Sequence, residues 1–202
     1  HIVFCLNRSS FKMDNQASGK FQFERGQAIV TFNPFHESHG YLLQKSREFC
    51  KLTDVYVGDR QVPGRLSRDI RARTAQEFID DNGWGNQFNV ISHGKRADLD
   101  GNQYDVFIAG SDILNLVSRK ISQEDYSFKF PNILYIHREG MVLTKDSKRE
   151  LEKYVNLIEV SGVSDISGSK IRQAYRDGKD ISGMVSQNTW EIIKDHVYVF
   201  GD

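Results

Sequence analysis

The amino-acid sequence predicts an α/β fold, a Rossmann-like parallel sheet with helices on both faces. Short apolar runs alternate along the chain with stretches of helical length and periodicity, which is typical of βαβ units. Two turns rich in histidine, serine and glycine follow such runs, and right-handed crossovers place the ends of these strands at one edge of the sheet. Because open α/β sheets bind ligands at that edge, we expect a functional site there.

Strands are predicted where β-branched and aromatic residues cluster between polar or glycine-containing turns. They cover Ala28–Phe32, Asp54–Gly58, Gln87–Ser92, Tyr104–Ala109, Ile133–Ile136 and Val155–Val160. Helices are predicted from His39 to about Leu52 and from Leu66 to Asp81, because apolar residues recur there at helical spacing.

Residues 1–27 form an N-terminal extension in this interpretation, and residues 28–202 form the main domain. Phe21–Arg25 alternates apolar and polar side chains, which predicts one short, half-exposed edge strand in the extension. A length of 202 residues suits a single domain with a full core, since domains commonly hold roughly 100–200 residues.

The composition excludes several classes of protein. Lys+Arg and Asp+Glu number 27 each, so the charge balance predicts neither a nucleic-acid partner nor a membrane partner. No apolar run in the sequence is long enough for a transmembrane helix. Two cysteines, Cys5 and Cys50, make no disulfide framework, and the sequence lacks zinc-type Cys/His spacing. We therefore predict no protein-bound metal site and expect a cytoplasmic location.

The most informative segment is Thr31–Gly40, with the sequence Thr-Phe-Asn-Pro-Phe-His-Glu-Ser-His-Gly. Its histidines, His36 and His39, fall where a strand ends and a helix begins. Backbone N–H groups and the helix dipole make such a turn an anion site, to which imidazoles add donors. We expect His39 to be exposed at the helix start. In the alternatives, His36 caps the turn and His39 packs on the helix, or both bind zinc, although zinc-binding pairs usually lie four residues apart.

A second segment, Asp165–Arg172, places small hydroxyl residues at the start of a predicted helix and an arginine one turn later. Ser167, Ser169 and Arg172 suit a phosphate grip, because a guanidinium fork matches phosphate oxygens. The structural alternative is that Ser167 caps the helix and Arg172 forms a surface ion pair. Two such helix starts suggest one polyphosphate held from both sides.

With these segments in order, the chain resembles the nucleotidyltransferases of the His-x-Gly-His type, and most of all the mononucleotide adenylyltransferases of NAD biosynthesis. The resemblance runs from about Ala28 to the C-terminus. Three further segments resemble the family's strand ending in Gly-x-Asp, its strand ending in Arg-x-Gly and its closing helix. They are Tyr104–Asp112, Asn132–Gly140 and Ile181–Tyr198.

The resemblance implies an enzyme that transfers AMP from ATP to nicotinamide or nicotinate mononucleotide and releases pyrophosphate. Mg²⁺ would accompany ATP, and the partners would be ATP and a phosphorylated acceptor. The resemblance is compatible with a homo-oligomer. The implied catalytic residues are His36, His39 and Arg172. The implied nucleotide-binding residues are Thr31, Phe32, Asn33, Gly110, Asp112, Arg138, Ser167 and Ser169. For two of them a structural role competes: Asp112 caps the next helix, and Arg138 forms a surface ion pair.

The chain departs from the family pattern at Ser38, where glycine is usual, and at Ile29 and Val30, where glycine commonly precedes the Thr-Phe pair. Glycine at such positions supplies a positive φ or a close approach to phosphate. We interpret Ser38 as a tolerated small residue. The alternatives are a related enzyme with another acceptor, such as phosphopantetheine or a CTP-dependent cytidylyltransferase, and a nucleotide-binding regulatory module without turnover.

The acceptor pocket has a weak signal in the sequence. Trp84, within Asp81–Gly85, is a candidate for stacking on a pyridine ring, and its alternative role is to cover a helix end. Trp190 is interpreted as a packing residue of the last helix.

Overall fold

The structure is a computed structural model that describes residues 21–59, 61–94, 101–122, 130–137, 142–160 and 166–201. Within these ranges the strands are β1 (Phe23–Val30), β2 (Cys50–Val57), β3 (Phe88–Ile91), β4 (Val106–Gly110), β5 (Asn132–Ile136) and β6 (Asn156–Val160). The helices are α1 (Glu37–Phe49), α2 (Arg68–Asp81), α3 (Ser111–Ser122), α4 (Lys145–Leu151), α5 (Gly168–Arg176) and α6 (Gln187–Ile193). Short 3-10 turns cover Gly101–Gln103, Ser182–Met184 and Val197–Gly201.

All six strands pair in parallel in the order β3-β2-β1-β4-β5-β6, which confirms the predicted α/β class. The chain winds outward from β1 to β3 and then returns to the centre at β4. The strand order therefore reverses between β1 and β4, and a crevice opens there at the carboxyl edge of the sheet. Ala28 pairs with Ile108, so the ends of the two strands lie at the same level.

Helices cover both faces of the sheet, as predicted. On one face, α1 and α2 pack over a cluster of buried residues that includes Ala28, Val55 and Ile108. These three side chains have no exposed surface. On the other face, α3 and α4 pack over β4 and β5 in a cluster that includes Phe107 and Ile133. A third cluster joins α5, α6 and the last 3-10 turn to the start of α2. This cluster anchors the second of the two segments singled out in the sequence, Asp165–Arg172, to the rest of the fold through Ile171.

Serine or threonine caps the N-terminus of four helices. The side chains of Ser67, Thr144, Ser167 and Ser186 each accept a hydrogen bond from a backbone N–H in the first turn of α2, α4, α5 and α6. The described part of the chain holds no helix that is both long and apolar enough to span a membrane.

The prediction of a separate edge strand at Phe21–Arg25 is wrong. The structure has one strand from Phe23 to Val30, paired with β2 on one side and β4 on the other. The polar alternation has a different cause: the Arg25 guanidinium donates to the buried carboxylate of Asp54 at 2.7 Å, so a charged residue fits a central strand. Residues 1–20 of the predicted extension lie outside the described residues.

The helix predicted from His39 to about Leu52 also has different bounds. It begins at Glu37, so His39 lies inside its first turn, and it ends at Phe49 because the next residues form β2. Cys50, which falls within the predicted helix, instead pairs with Phe23 at the start of β2. The pairing energy of a central strand outweighs the helical periodicity of these residues.

Substituting Gly26 tests how tightly β1 packs against the side chains of the neighbouring strands β2 and β4. A Cβ atom at Gly26 would lie 2.8 Å from both the Cys50 Sγ and the Ile108 Cδ1, and both of these side chains are fully buried. We expect Gly26→Ala to lower the free energy of unfolding by roughly 1–3 kcal/mol, the usual cost of overpacking a core. Urea denaturation measures this change. Gly183→Ala is the control, because a Cβ there meets no atom within 4 Å, and an equal loss in both variants would contradict the packing argument.

Candidate nucleotide-binding site

The loop after β1 carries the first motif to the carboxyl edge of the sheet. Phe32 has a φ of 51°, in the left-handed region that non-glycine residues seldom adopt, and its side chain is fully buried. Its ring packs 5.0 Å from that of Phe35 and 4.9 Å, edge-on, from that of His39. Phe32 therefore supports the loop from the core, and what it presents to a ligand is backbone. Thr31, just before it, is exposed.

The two histidines of the motif lie together at the start of α1. The ring centroids of His36 and His39 are 3.8 Å apart, and the backbone N–H of His36 donates to the His39 Nδ1 at 3.3 Å. Because Nδ1 accepts this bond, the proton of a neutral ring lies on Nε2, which is then a donor.

The expectation that His39 is exposed is wrong. His36 and His39 are 2% and 7% exposed, and the ring of His39 packs on Phe32 and Phe35. The structural alternative, in which His39 packs against the helix start, therefore describes part of its role. It is compatible with a chemical role, because the packing fixes the orientation of the ring.

Asn33 connects three segments of the site. Its side-chain Oδ1 accepts from the backbone N–H of Leu66 at 2.9 Å, and its Nδ2 donates to the carbonyl of Gly64 at 3.0 Å. Its own carbonyl accepts from the Arg172 Nη1 at 2.5 Å. The side chain of Asn33 is thus engaged inside the protein. The predicted contact of Asn33 with nucleotide stays a prediction. Because the side chain is already hydrogen-bonded, such a contact would be made by the backbone of Asn33.

The second motif lies directly against the first. Ser167 caps α5 by accepting from the backbone N–H of Lys170, which confirms the capping role. Arg172 donates to the Ser169 Oγ at 3.2 Å as well as to the Asn33 carbonyl. A Cβ at Gly168 would lie 2.5 Å from that same carbonyl oxygen, so a side chain there would force the two motifs apart.

Ser38, the departure from the family pattern, joins the two motifs by a further bond. Its hydroxyl donates to the backbone carbonyl of Ile166 at 2.7 Å. Ser38 is the second residue of α1, where the backbone is helical and a positive φ is not needed. The conformational argument for glycine at this position therefore does not apply to this chain.

Two arginines of α2 were missed by sequence reasoning, although they hold the strand ends in place. Arg71 is fully buried and donates to the carbonyls of Thr31, Gly58 and Leu66 at 2.7–2.9 Å. Burial, together with repulsion from Arg65 and Arg68, lowers the pKa of Arg71 to about 10, so it stays protonated at neutral pH. In the sequence, Ser67, Arg68 and Arg71 indicate only a capped and solvent-exposed first turn of a helix. Nothing in that pattern predicts that the arginines bind the strand ends.

Arg68 has the same function one turn earlier. It donates to the carbonyls of Val57, His93 and Gly94, and its guanidinium lies 4.9 Å from the centroid of the Tyr56 ring. Arg68 and Arg71 together connect α2 to the residues that follow β1, β2 and β3. The carboxyl edge of this half of the sheet is therefore held by guanidinium groups.

Three arginines bring positive charge to this edge of the sheet. Burial lowers the pKa of Arg172, and repulsion from Arg176 and Arg65 adds to that effect. Within the described ranges, Arg68, Arg71 and Arg172 form no ion pair, and their hydrogen bonds go to carbonyl and hydroxyl oxygens. A cationic crevice of this kind favours an anionic ligand.

The remaining predicted residues lie at the neighbouring strand end or outside the described residues. Gly110 ends β4, and Asp112 lies in the first turn of α3, next to the point where the strand order reverses. Because α3 begins at Ser111, Asp112 lies inside the first turn of the helix, one position too late for the alternative role of N-cap. Its contact with a ribose stays a prediction. Arg138 lies outside the described residues.

Trp84 does not lie at the site. It is 6% exposed and packs between Phe78 and Phe88, with the Arg47 guanidinium 5.0 Å from its ring centroid. It precedes β3, at the amino edge of the sheet, so its alternative role of covering a helix end is confirmed. Trp190 is partly buried in the cluster of α5 and α6 and packs as predicted.

In the portion of the chain that the structure describes, no group of three or more His, Cys, Asp or Glu residues is arranged to hold a metal ion. The site residues that meet at the crevice are instead histidine, serine and arginine. Such a set offers hydrogen-bond donors and positive charge, which is the chemistry of phosphate recognition.

Curated proteins of similar sequence carry one name. The chain is 26% identical over 188 residues to a probable nicotinate-nucleotide adenylyltransferase of Clostridium acetobutylicum, covering 81% of this chain and 92% of that protein. It is 23% identical over 200 residues to the protein of the same name from Clostridium botulinum strain Langeland, covering 96% and 93%. No protein-family profile matches the chain.

Solved structures share the fold. A Plasmodium falciparum nicotinic acid mononucleotide adenylyltransferase, complexed with APC, superposes with a TM-score of 0.65 at 14% identity and covers 89% of this chain and 98% of its own. Thermotoga maritima TmcAL, bound with alpha-thio ATP, superposes with a TM-score of 0.52 at 14% identity and covers 87% and 56%.

The order of the motifs, the parallel sheet and the full-length curated relatives agree with one another. The order of the motifs and the topology of the sheet bring both motifs to one edge of the sheet. The similarity to the curated relatives extends over 81–96% of the chain. The chain is therefore similar, over nearly its whole length, to curated nucleotidyltransferases, and it shares the fold of solved ones.

Proposed function

We propose that this enzyme transfers AMP from ATP to nicotinate mononucleotide in NAD biosynthesis, with release of pyrophosphate. The observation that carries the proposal is the direct connection of the histidine turn to the start of α5. Ser38 donates to the carbonyl of Ile166, and Arg172 donates to the carbonyl of Asn33, so the two motifs meet at one place. The shared name of the curated relatives supports the choice of nicotinate mononucleotide as the acceptor.

In the proposed reaction, a phosphate oxygen of the acceptor attacks the α-phosphorus of ATP in line with the leaving group. The bond from that phosphorus to the oxygen bridging to the β-phosphate breaks, and pyrophosphate leaves. Such transfer needs positioning and charge neutralisation, and it needs no protein nucleophile. His36 and His39, whose rings lie together at the start of α1, are proposed to donate to the α- and β-phosphates as charge develops on the bridging oxygen.

The start of α5 is proposed to hold the β- and γ-phosphates. Ser169 and Arg172 lie in its first turn and a half, and the helix dipole adds positive potential there. Arg172 donates one N–H group to Asn33 and one to Ser169. A guanidinium carries five N–H groups in all. The contacts within the protein thus orient the arginine and leave donors for a ligand.

Mg²⁺ is proposed to arrive bound to the phosphates of ATP, where it neutralises their charge. The described site offers histidine, serine and arginine, a set that suits phosphate and does not form a cage of carboxylates. We also propose a cytoplasmic location, which the two-cysteine composition supports.

A panel of acceptors tests the proposed function. We expect pyrophosphate release with ATP, Mg²⁺ and nicotinate mononucleotide, and slower release with nicotinamide mononucleotide. Phosphopantetheine with ATP, and glycerol phosphate with CTP, represent the related enzymes. Turnover with one of these instead would identify another acceptor, and ATP binding with no turnover on any of them would refute the proposal.

Replacing His39 by asparagine separates its two roles. The asparagine side chain keeps an acceptor near Nδ1 for the His36 N–H, and it loses the Nε2 donor. We expect kcat to fall roughly 10²–10³-fold, as for the loss of one preorganised donor. The thermal unfolding temperature should fall as well, because the asparagine loses the ring that packs on Phe32 and Phe35. His39→Gln, which restores an amide donor near Nε2, should recover part of the rate. His196→Asn is the control, and an unchanged kcat in His39→Asn would show that Nε2 has no chemical role.

Replacing Arg172 by lysine keeps the charge and removes the fork. We expect the KM for ATP to rise about tenfold to a hundredfold, the range for bonds to charged groups, with a smaller change in the KM for the acceptor. Arg176→Lys is the matched control, because Arg176 lies one turn later on the same helix and is exposed. Equal effects of the two substitutions would indicate that general charge, and not the fork, binds ATP.

A further inference from the structure

We infer that Ser38 is a positioning residue that holds the phosphate-binding start of α5 against the start of α1. The inference rests on the proposed function and deepens it. Glycine, usual at this position in the family that the chain resembles, has no side chain and cannot make this bond. In this chain the hydroxyl of Ser38 spans the gap between the two motifs, with 2.7 Å to the carbonyl of Ile166.

The bond acts on the residue that precedes the cap of α5. Ile166 is followed by Ser167, whose side chain and carbonyl accept from the N–H groups of Lys170 and Ile171. Fixing the Ile166 carbonyl therefore fixes the backbone from which the first turn of α5 begins. Ser169 and Arg172, the proposed phosphate ligands, extend from that turn.

A second hydrogen bond between the two motifs lies on the other side of the cap. There the Arg172 guanidinium donates to the Asn33 carbonyl, against which Gly168 packs. Arg172 is proposed to contact ATP, so its bond can change when the ligand binds. Ser38 has a short side chain on a helix, so its bond holds the position of α5 independently of Arg172.

Ser38→Ala tests the inference, because alanine removes the hydroxyl and retains helical propensity. We expect the KM for ATP to rise about threefold to tenfold, the range for one hydrogen bond, while the KM for the acceptor stays within about twofold. Ser38→Thr keeps the hydroxyl and should restore the KM for ATP. A purely structural role would reduce the amount of active enzyme and leave both KM values unchanged.

Ser46→Ala is the matched control on the same helix. The hydroxyl of Ser46 also donates to a backbone carbonyl, at 2.8 Å, but that carbonyl belongs to Leu43 of α1 itself. The control therefore loses a bond of the same kind without loosening α5. Equal rises in the KM for ATP in the two alanine variants would overturn the inference.

Amide hydrogen exchange gives a readout that does not depend on turnover. In Ser38→Ala we expect faster exchange in the peptide covering 166–176 and unchanged exchange in the peptide of α4, residues 145–151. Unchanged exchange at 166–176, or faster exchange throughout the chain, would overturn the inference. Absence of adenylyl transfer in the wild-type enzyme would instead refute the proposed function, and the exchange result would still decide the role of Ser38.

Discussion

The carbonyl oxygen of Asn33 is the point on which the geometry of the site depends. It accepts the Arg172 guanidinium, and Gly168 packs so closely on it that a Cβ would collide. The side chain of the same residue satisfies backbone groups of Gly64 and Leu66, so the loop after β1 is fixed to the loop before α2 as well. Buried polar groups must find partners, and here the same bonds that satisfy them also determine where the two segments proposed to bind phosphate meet.

The arginines of α2 add a second constraint at the same edge. Arg68 and Arg71 are satisfied by carbonyl oxygens at the ends of β1, β2 and β3, without a carboxylate among the described residues. This arrangement has two effects. It prevents the strand ends from separating, and it brings positively charged guanidinium groups to the edge of the sheet where the proposed anionic ligand binds. Rigidity and positive potential therefore have the same origin.

The sheet and the meeting of the two motifs could be predicted from the sequence, because apolar periodicity gives strands and helices and the handedness of crossovers brings strand ends to one edge. The contributions of Arg25, Arg71 and Ser38 could not. Each depends on a partner distant in sequence: Asp54 for Arg25, the Thr31 carbonyl for Arg71, and the Ile166 carbonyl, 128 residues away, for Ser38. Periodicity carries no information on such pairs. For the same reason the burial of His39 was missed, since the aromatic rings that cover it are positioned by the left-handed backbone at Phe32.

The separation of Asn33 from Arg172 has a consequence for the order of folding. The two residues are 139 positions apart, and every strand from β2 to β6 lies between them. Closing so long a loop is favourable only after the intervening units have formed, because the entropy of closure must be offset by their contacts. The crevice is therefore absent from any partly folded form that lacks the later strands, and such a form cannot recruit nucleotide at the joined motifs. A ligand that binds both helix starts selects the completed sheet over every such intermediate, so nucleotide in the cell would act as a thermodynamic check that folding has finished.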